Sequence, residues 1–156
     1  MHGRIFNLVT EIGDADNYAM LDDEVSEAFG HSVDWAEEIT ENLDMFTDAI
    51  NWCFGEQKRS FKDAYQLSKE DINHAIGAYK EGVRHRFEKF KSEVEKVEAW
   101  LSSDDNDLAV DTFDINLFDP YYGFKFIVDG WVVEPCNIPS MITKGLFITQ
   151  VFDYHF

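Results

Sequence analysis

Val33-Asp34-Trp35-Ala36-Glu37-Glu38-Ile39-Thr40-Glu41-Asn42-Leu43-Asp44-Met45-Phe46-Thr47-Asp48-Ala49-Ile50-Asn51-Trp52-Cys53-Phe54 is the stretch on which the reading of this chain turns. Its apolar positions are Ala36, Ile39, Leu43, Phe46, Ile50 and Cys53. They recur at spacings of three and four, the rhythm of one helical face, and predict a helix over 33–54. Ser32 stands where an N-cap belongs and Gly55 where the helix ends.

A second stripe runs through the same stretch. Asp34, Glu37, Glu41, Asp44 and Asp48 also recur at threes and fours, with Glu38 beside them. On a helix, position 34 lies about 200° around from position 36, so the carboxylates would face directly away from the core. The rise from 34 to 48 would be about 21 Å. No Lys or Arg interrupts the stripe. Like charges at i,i+3 and i,i+4 destabilise a helix by a few tenths of a kcal/mol per pair, about 1 kcal/mol over the stripe. A merely solvated face would mix in lysines. Asp22, Asp23, Glu24 and Glu27 lie just upstream, on a short helix predicted over 20–29 from Leu21, Val25 and Phe29. The ten acids together are the candidate partner-binding residues. Such a surface would enter the basic groove of a nucleic-acid-handling protein and compete there with phosphates, associating fast and with strong salt dependence.

The whole-chain charge agrees. The 156 residues carry 31 acidic and 13 basic side chains, net −18. The excess is uneven. Residues 1–56 hold 14 acids and one base, Arg4; residues 57–103 hold 8 acids and 10 bases; residues 104–156 hold 9 acids and 2 bases. This field repels phosphates, so direct nucleic-acid binding is not expected, nor is adhesion to an anionic membrane. Adaptation to high salt is disfavoured because nine lysines remain. No apolar run reaches 18 residues, and Met1-His2-Gly3-Arg4 opens no signal-type block. Cys53 and Cys136 have no paired spacing. A reduced, cytoplasmic protein is the expectation.

The rest of the chain supplies the fold class. Residues 4–12 are β-branched and aromatic enough for a strand. Ser68 and Asp71 form a capping box for a long helix over about 69–101, with a buried edge of Ile72, Ile76, Tyr79, Val83, Phe87, Phe90, Val94, Val97 and Leu101. Gly77 and Gly82 lie inside it and invite a bend. After residue 103 the period falls to two. Phe113, Ile115 and Leu117 alternate with polar residues, and Phe124, Phe126 and Val128 follow a Pro120-Tyr121-Tyr122-Gly123 turn. Asp129-Gly130 offers a tight hairpin into 131–133, and 146–154 reads as a last strand. The expected fold is α+β: a three-helix block, one helix long, packed on a mostly antiparallel sheet whose N-terminal strand joins the C-terminal strands. It is read as a single domain, 1–156, with a helical part to residue 103 and a β-rich part after it.

Catalytic patterns are missing. Asp104-Asp105-Asn106-Asp107 lacks the glycine and spacing of a calcium loop, and the five histidines form no HExxH, HxH or Cys–His pair. There is no GxSxG and no phosphate loop. Cys136 with His155 is the nearest approach to a nucleophile pair, and a single loop cysteine is far more often inert. No enzyme, cofactor or metal is expected. Tyr121 and Tyr122, on their turn, are added to the partner-binding set because exposed tyrosines suit interfaces.

The sequence therefore points to a non-enzymatic, acidic binding protein. It would inhibit or shield a basic partner such as a nuclease, a defence enzyme or a toxin, as nucleic-acid mimics and immunity proteins do. The alternative is a module that self-associates, for instance as a homodimer, its charge serving solubility only.

Overall fold

A computed structural model describes residues 2–30, 33–55, 65–103, 123–141 and 145–155. It contains strands β1 (His2–Val9), β2 (Trp35–Glu38), β3 (Tyr65–Gln66), β4 (Phe124–Val128), β5 (Trp131–Val133) and β6 (Phe147–His155). The helices are α1 (Asp22–Phe29), α2 (Leu43–Phe54) and α3 (Lys69–Leu101). The fold is α+β, with one long helix and one mixed sheet. The strand of residues 113–117 and the turn bearing Tyr121 and Tyr122 lie outside the described residues.

The chain divides into two compact units, residues 1–79 with 122–156, and residues 80–121. The first holds the sheet, in the order β2-β6-β1-β4-β5, with β3 also paired to β6. Only β1 and β4 run parallel; the other four pairings are antiparallel. The N-terminal strand joins the C-terminal strands, as expected, and lies between β6 and β4. Gly3 is required there, since a Cβ would meet the Tyr154 ring at 2.3 Å. The β4–β5 hairpin turns on Asp129 (φ 48°) and Gly130 (φ 78°), the two positive angles that a type I′ turn demands. The Asp129 carboxylate also accepts from the Thr10 N–H at 2.9 Å and the Thr10 hydroxyl at 2.8 Å.

Alternation along the strands builds two cores. Phe6, Leu8, Phe124, Phe126, Val128, Ile148 and Val151 face the larger one, under α2 and the first turns of α3. Its centre is aromatic: the Phe6 and Phe54 rings meet edge-on with centroids 5.0 Å apart, and Phe6 stacks on Phe126 at 5.8 Å. Ile5, Ile127, Phe152 and Tyr154 point the other way, onto Val25 of α1 and Ala36 of β2. The three helices thus do not lie in one layer; α1 covers the opposite face from α2. A β-bulge makes this possible. Asn7 pairs with Gln150 but Leu8 pairs with Ile148, leaving Thr149 as the extra residue. After it, Val151 stays on the larger core while Gln150 and Phe152 face α1.

The stretch 33–54 is not one helix. Residues Trp35–Glu38 are extended and pair with β6, Trp35 opposite His155 and Glu38 opposite Phe152. The ladder continues through the Ile39 N–H, which donates to Val151 O at 2.8 Å, and the Thr40 hydroxyl, which accepts from the Val151 N–H at 2.9 Å. The chain then turns, and Asn42 caps α2 by accepting from the Met45 N–H at 3.2 Å. The predicted cap, Ser32, lies outside the described residues. The expected buried positions are nonetheless buried, Leu43 excepted: Ala36 and Ile39 arrive from a strand and its exit, Phe46, Ile50 and Cys53 from a helix. An extended segment also relieves the repulsion that a continuous helix would impose, because Asp34, Glu37 and Glu41 are no longer stacked one turn apart on one face.

The α3 helix matches its expected bounds. Ser68 and Asp71 cap it reciprocally: the Ser68 N–H donates to Asp71 Oδ2 at 2.7 Å, and the Asp71 N–H donates to Ser68 Oγ at 3.2 Å. It runs unbroken past Gly77 and Gly82. Its buried edge is shorter than expected. Ile72 and Ala75 are buried and Ile76 and Tyr79 pack partly on the larger core, whereas Val83, Phe87 and Leu101 are exposed.

Candidate functional site

The ten candidate carboxylates are all exposed and all belong to the sheet-bearing unit, but they occupy four settings. Asp22, Asp23, Glu24 and Glu27 ride on α1. Asp34, Glu37 and Glu38 lie at or on β2, Glu41 lies in the turn after it, and Asp44 and Asp48 lie on α2. The single outward stripe expected from a helix over 33–54 is therefore broken. Glu38 shares the α1 side of the sheet with Ala36, while Glu37 stands on the opposite side with Asp153 as its β6 partner. Asp44 and Asp48 follow α2 onto that opposite side. Tyr121 and Tyr122 lie outside the described residues.

What remains together is the α1–β2 pair. The two elements are tied by the Asp22 carboxylate, whose Oδ1 accepts from the Glu38 N–H at 2.9 Å. A buried amide network lies beneath. The Gln150 side chain donates to Glu38 Oε2 at 3.0 Å and to Met20 O at 3.1 Å, and its Oε1 accepts from the Met20 N–H at 2.8 Å and from Asn7 Nδ2 at 2.9 Å. Asn7 Nδ2 also donates to Tyr18 O at 2.7 Å. Glu24 caps α1 by accepting from the Leu21 N–H at 2.8 Å. Asp22, Glu24 and Glu38 thus hold structure as well as charge. Glu27, Glu37 and Glu41 have no such role among the described residues.

Among the described residues, the basic side chains Arg4 and Lys125 of this unit are engaged elsewhere than with the ten acids. Arg4 is engaged by Asp153 across β1 and β6. Lys125 reaches over the Phe29 ring at 5.2 Å and the Tyr154 ring at 5.8 Å. Its burial lowers its pKa from 10.5, and the nearby charge of Glu134 partly offsets that. Among the described residues, none of the ten carboxylates forms an ion pair with Lys or Arg; the other bridges, Arg84 to Glu81 and Lys96 to Glu93, are internal to α3.

Two features were not read from the sequence. Trp35 is 45% exposed on β2, between Asp34 and Ala36 in the chain and on the same side of the sheet as Glu37. Its signal was available, since a Trp at a strand position alternating with a buried Ala faces outward. An open groove of about 480 Å³ runs beside α1, lined by Asn17, Tyr18, Met20, Glu24, Glu27 and Gly130. It brings the second and third turns of the chain against the β4–β5 hairpin, which no local pattern announces.

Among the described residues, no group of three or more His, Cys, Asp or Glu is placed to hold a metal ion, and no helix is long and apolar enough to cross a membrane. Cys53 is buried, which pushes its thiol pKa well above 9.0, the reverse of an activated nucleophile. Fold and surface together define an α+β sheet protein with helices on both faces and one strongly acidic flank. No protein-family model matches the chain, and no curated protein and no solved structure matches it either.

Proposed function

We propose that this protein is a non-enzymatic binding protein that uses its acidic α1–β2 flank to inhibit or shield a basic partner protein of the nucleic-acid-handling kind. The observation that carries the reading is the run of exposed carboxylates on α1 and β2 that no Lys or Arg neutralises among the described residues. Clustered like charge is unfavourable for the folded chain alone, and a cationic surface relieves it. Trp35, exposed on the same edge strand as Glu37 and Glu38, adds a large apolar side chain, the residue type that anchors interfaces. The recognised feature is a charged flank, built from a helix and an edge strand.

The test is charge reversal at residues with no structural hydrogen bond of their own. Glu27→Lys, Glu37→Lys and Glu41→Lys together are expected to leave the circular dichroism spectrum unchanged. They are expected to abolish the salt-sensitive retention of the protein by basic proteins in native extract. Full retention by the triple variant excludes the flank as the site.

A further inference from the structure

The second half of α3 carries an apolar seam that stays partly exposed. Val83, Phe87, Phe90, Val94, Val97 and Leu101 follow one another at spacings of 4, 3, 4, 3 and 4. That is the 3.5-residue repeat of a two-helix seam, sustained for nearly three heptads. Phe87 and Leu101 are each 68% exposed, Val83 is exposed, and Phe90, Val94 and Val97 are half-buried. Burial of this kind ordinarily holds a long helix in place, and a bare aromatic–aliphatic seam marks a contact surface.

The charge along the same segment states what would cover it. Residues 80–91 carry Lys80, Arg84, Arg86, Lys89 and Lys91 against Glu81 and Glu88. Residues 92–101 carry Glu93, Glu95 and Glu98 against Lys96. One half is net positive and the other net negative. A second copy laid antiparallel brings unlike halves together, opposes the helix dipoles favourably, and closes the seam upon itself. In the register that matches all six apolar residues, Val83 meets Leu101 of the second copy, Phe87 meets Val97, and Phe90 meets Val94. Arg84, flanking the seam on one side, then stands opposite Glu98. A parallel pair makes no unlike contact, setting Arg86 against Lys91 and Glu93 against Glu98, whereas the antiparallel register gains two Arg84–Glu98 contacts and sets like charges together only where Lys91 and Glu93 meet their own copies.

We propose that residues 83–101 of α3 form an antiparallel self-association site, making the protein a homodimer through its long helix. Arg84 is exposed, and its ion-pair partner among the described residues is the exposed neighbour Glu81, one turn back.

Sedimentation velocity on the full chain at up to about 100 μM tests it, the concentration at which a dimer of even modest affinity is populated. The wild type is expected to sediment as a dimer. Phe87→Glu is expected to sediment as a monomer with an unchanged circular dichroism spectrum, because the side chain is exposed in the protomer. Arg84→Glu alone is expected to weaken the dimer about tenfold, by placing acid against acid at two symmetric contacts, and Arg84→Glu with Glu98→Arg to restore it. A monomeric wild type overturns the proposal, as does a dimer indifferent to Phe87→Glu. Failure of the double exchange to restore affinity overturns the antiparallel register. None of these variants touches the acidic flank, so retention by basic proteins reports separately on the proposed function.

Discussion

Residues 33–54 and residues 72–101 share a rhythm and little else. Both place apolar side chains at threes and fours. The first stretch buries nearly all of them and is a helix in only its second half; the second is helical throughout and leaves much of its apolar edge in solvent. The difference lies in the ends and the neighbours. Asn42 supplies a cap in mid-stretch, and β6 offers Trp35–Glu38 a ladder. Ser68 and Asp71 cap α3 at its start, and nothing interrupts it until Leu101. Periodicity therefore reports which residues are apolar together, while capping groups and strand partners decide the backbone that delivers them.

The comparison breaks most readily at its buried end. Ile50→Ala is expected to lower the unfolding free energy by about 3 kcal/mol in urea denaturation, because its site is closed on all sides. Phe87→Ala, measured at a dilution where copies do not associate, is expected to change it by less than about 0.5 kcal/mol. Equal losses would mean that the α3 seam is covered within the protomer.

The helix starts come next. Asn42→Ala and Ser68→Ala are each expected to cost about 1 kcal/mol, the usual worth of an N-cap. An Asn42→Ala loss near zero would mean that α2 does not begin at Leu43.

A smaller effect separates strand from helix among the acids. Asp48→Lys puts a cation four residues after Asp44 on α2 and is expected to stabilise by about 0.5 kcal/mol at low salt. Glu41→Lys would gain more than that in one continuous helix, where Glu37 and Asp44 would flank it. In the turn it occupies here it is expected to gain less. Thermal melts of the two variants side by side give the order.

The smallest effect concerns Lys125 on the α1 side of the sheet. Burial lowers its pKa in the folded chain, so the unfolded chain binds the proton more tightly. Stability contributed by this residue therefore rises with pH between the lowered folded value and 10.5. Lys125→Met is expected to remove that rise, seen as the difference between the two alkaline stability profiles.

Much of this architecture could be read from residue order alone. Asp129-Gly130 announced its hairpin because only a two-residue turn with both angles positive suits that dipeptide. Ser68 and Asp71 announced α3 because the capping box is local chemistry. That β1 joins the C-terminal strands was legible from its strand character and theirs, but its place in the strand order was not. The short strand β2 was not, since four residues with one buried Ala give no period-two signal strong enough to beat a 3-4 rhythm that extends beyond them. The bulge at Thr149, which decides that Gln150 faces α1, depends on pairing with β1 and has no local mark. The candidate site fared accordingly. Its residues were identified as exposed acids from composition and spacing, but their grouping onto α1–β2 and α2 followed the backbone and had to be seen.

The Asp22 carboxylate bound to the Glu38 amide has a consequence for how copies of this chain meet. The outer rim of a sheet is a template on which foreign strands stack and from which fibres grow. Here the rim amide at Glu38 is already occupied, by an anion, with more negative charge on either side. The β2 strand of a second copy would bring Glu37 and Glu38 to that rim and meet like charge there. Pairing of β2 with its own copy is therefore disfavoured at this border, by the occupied amide and by the charge beside it.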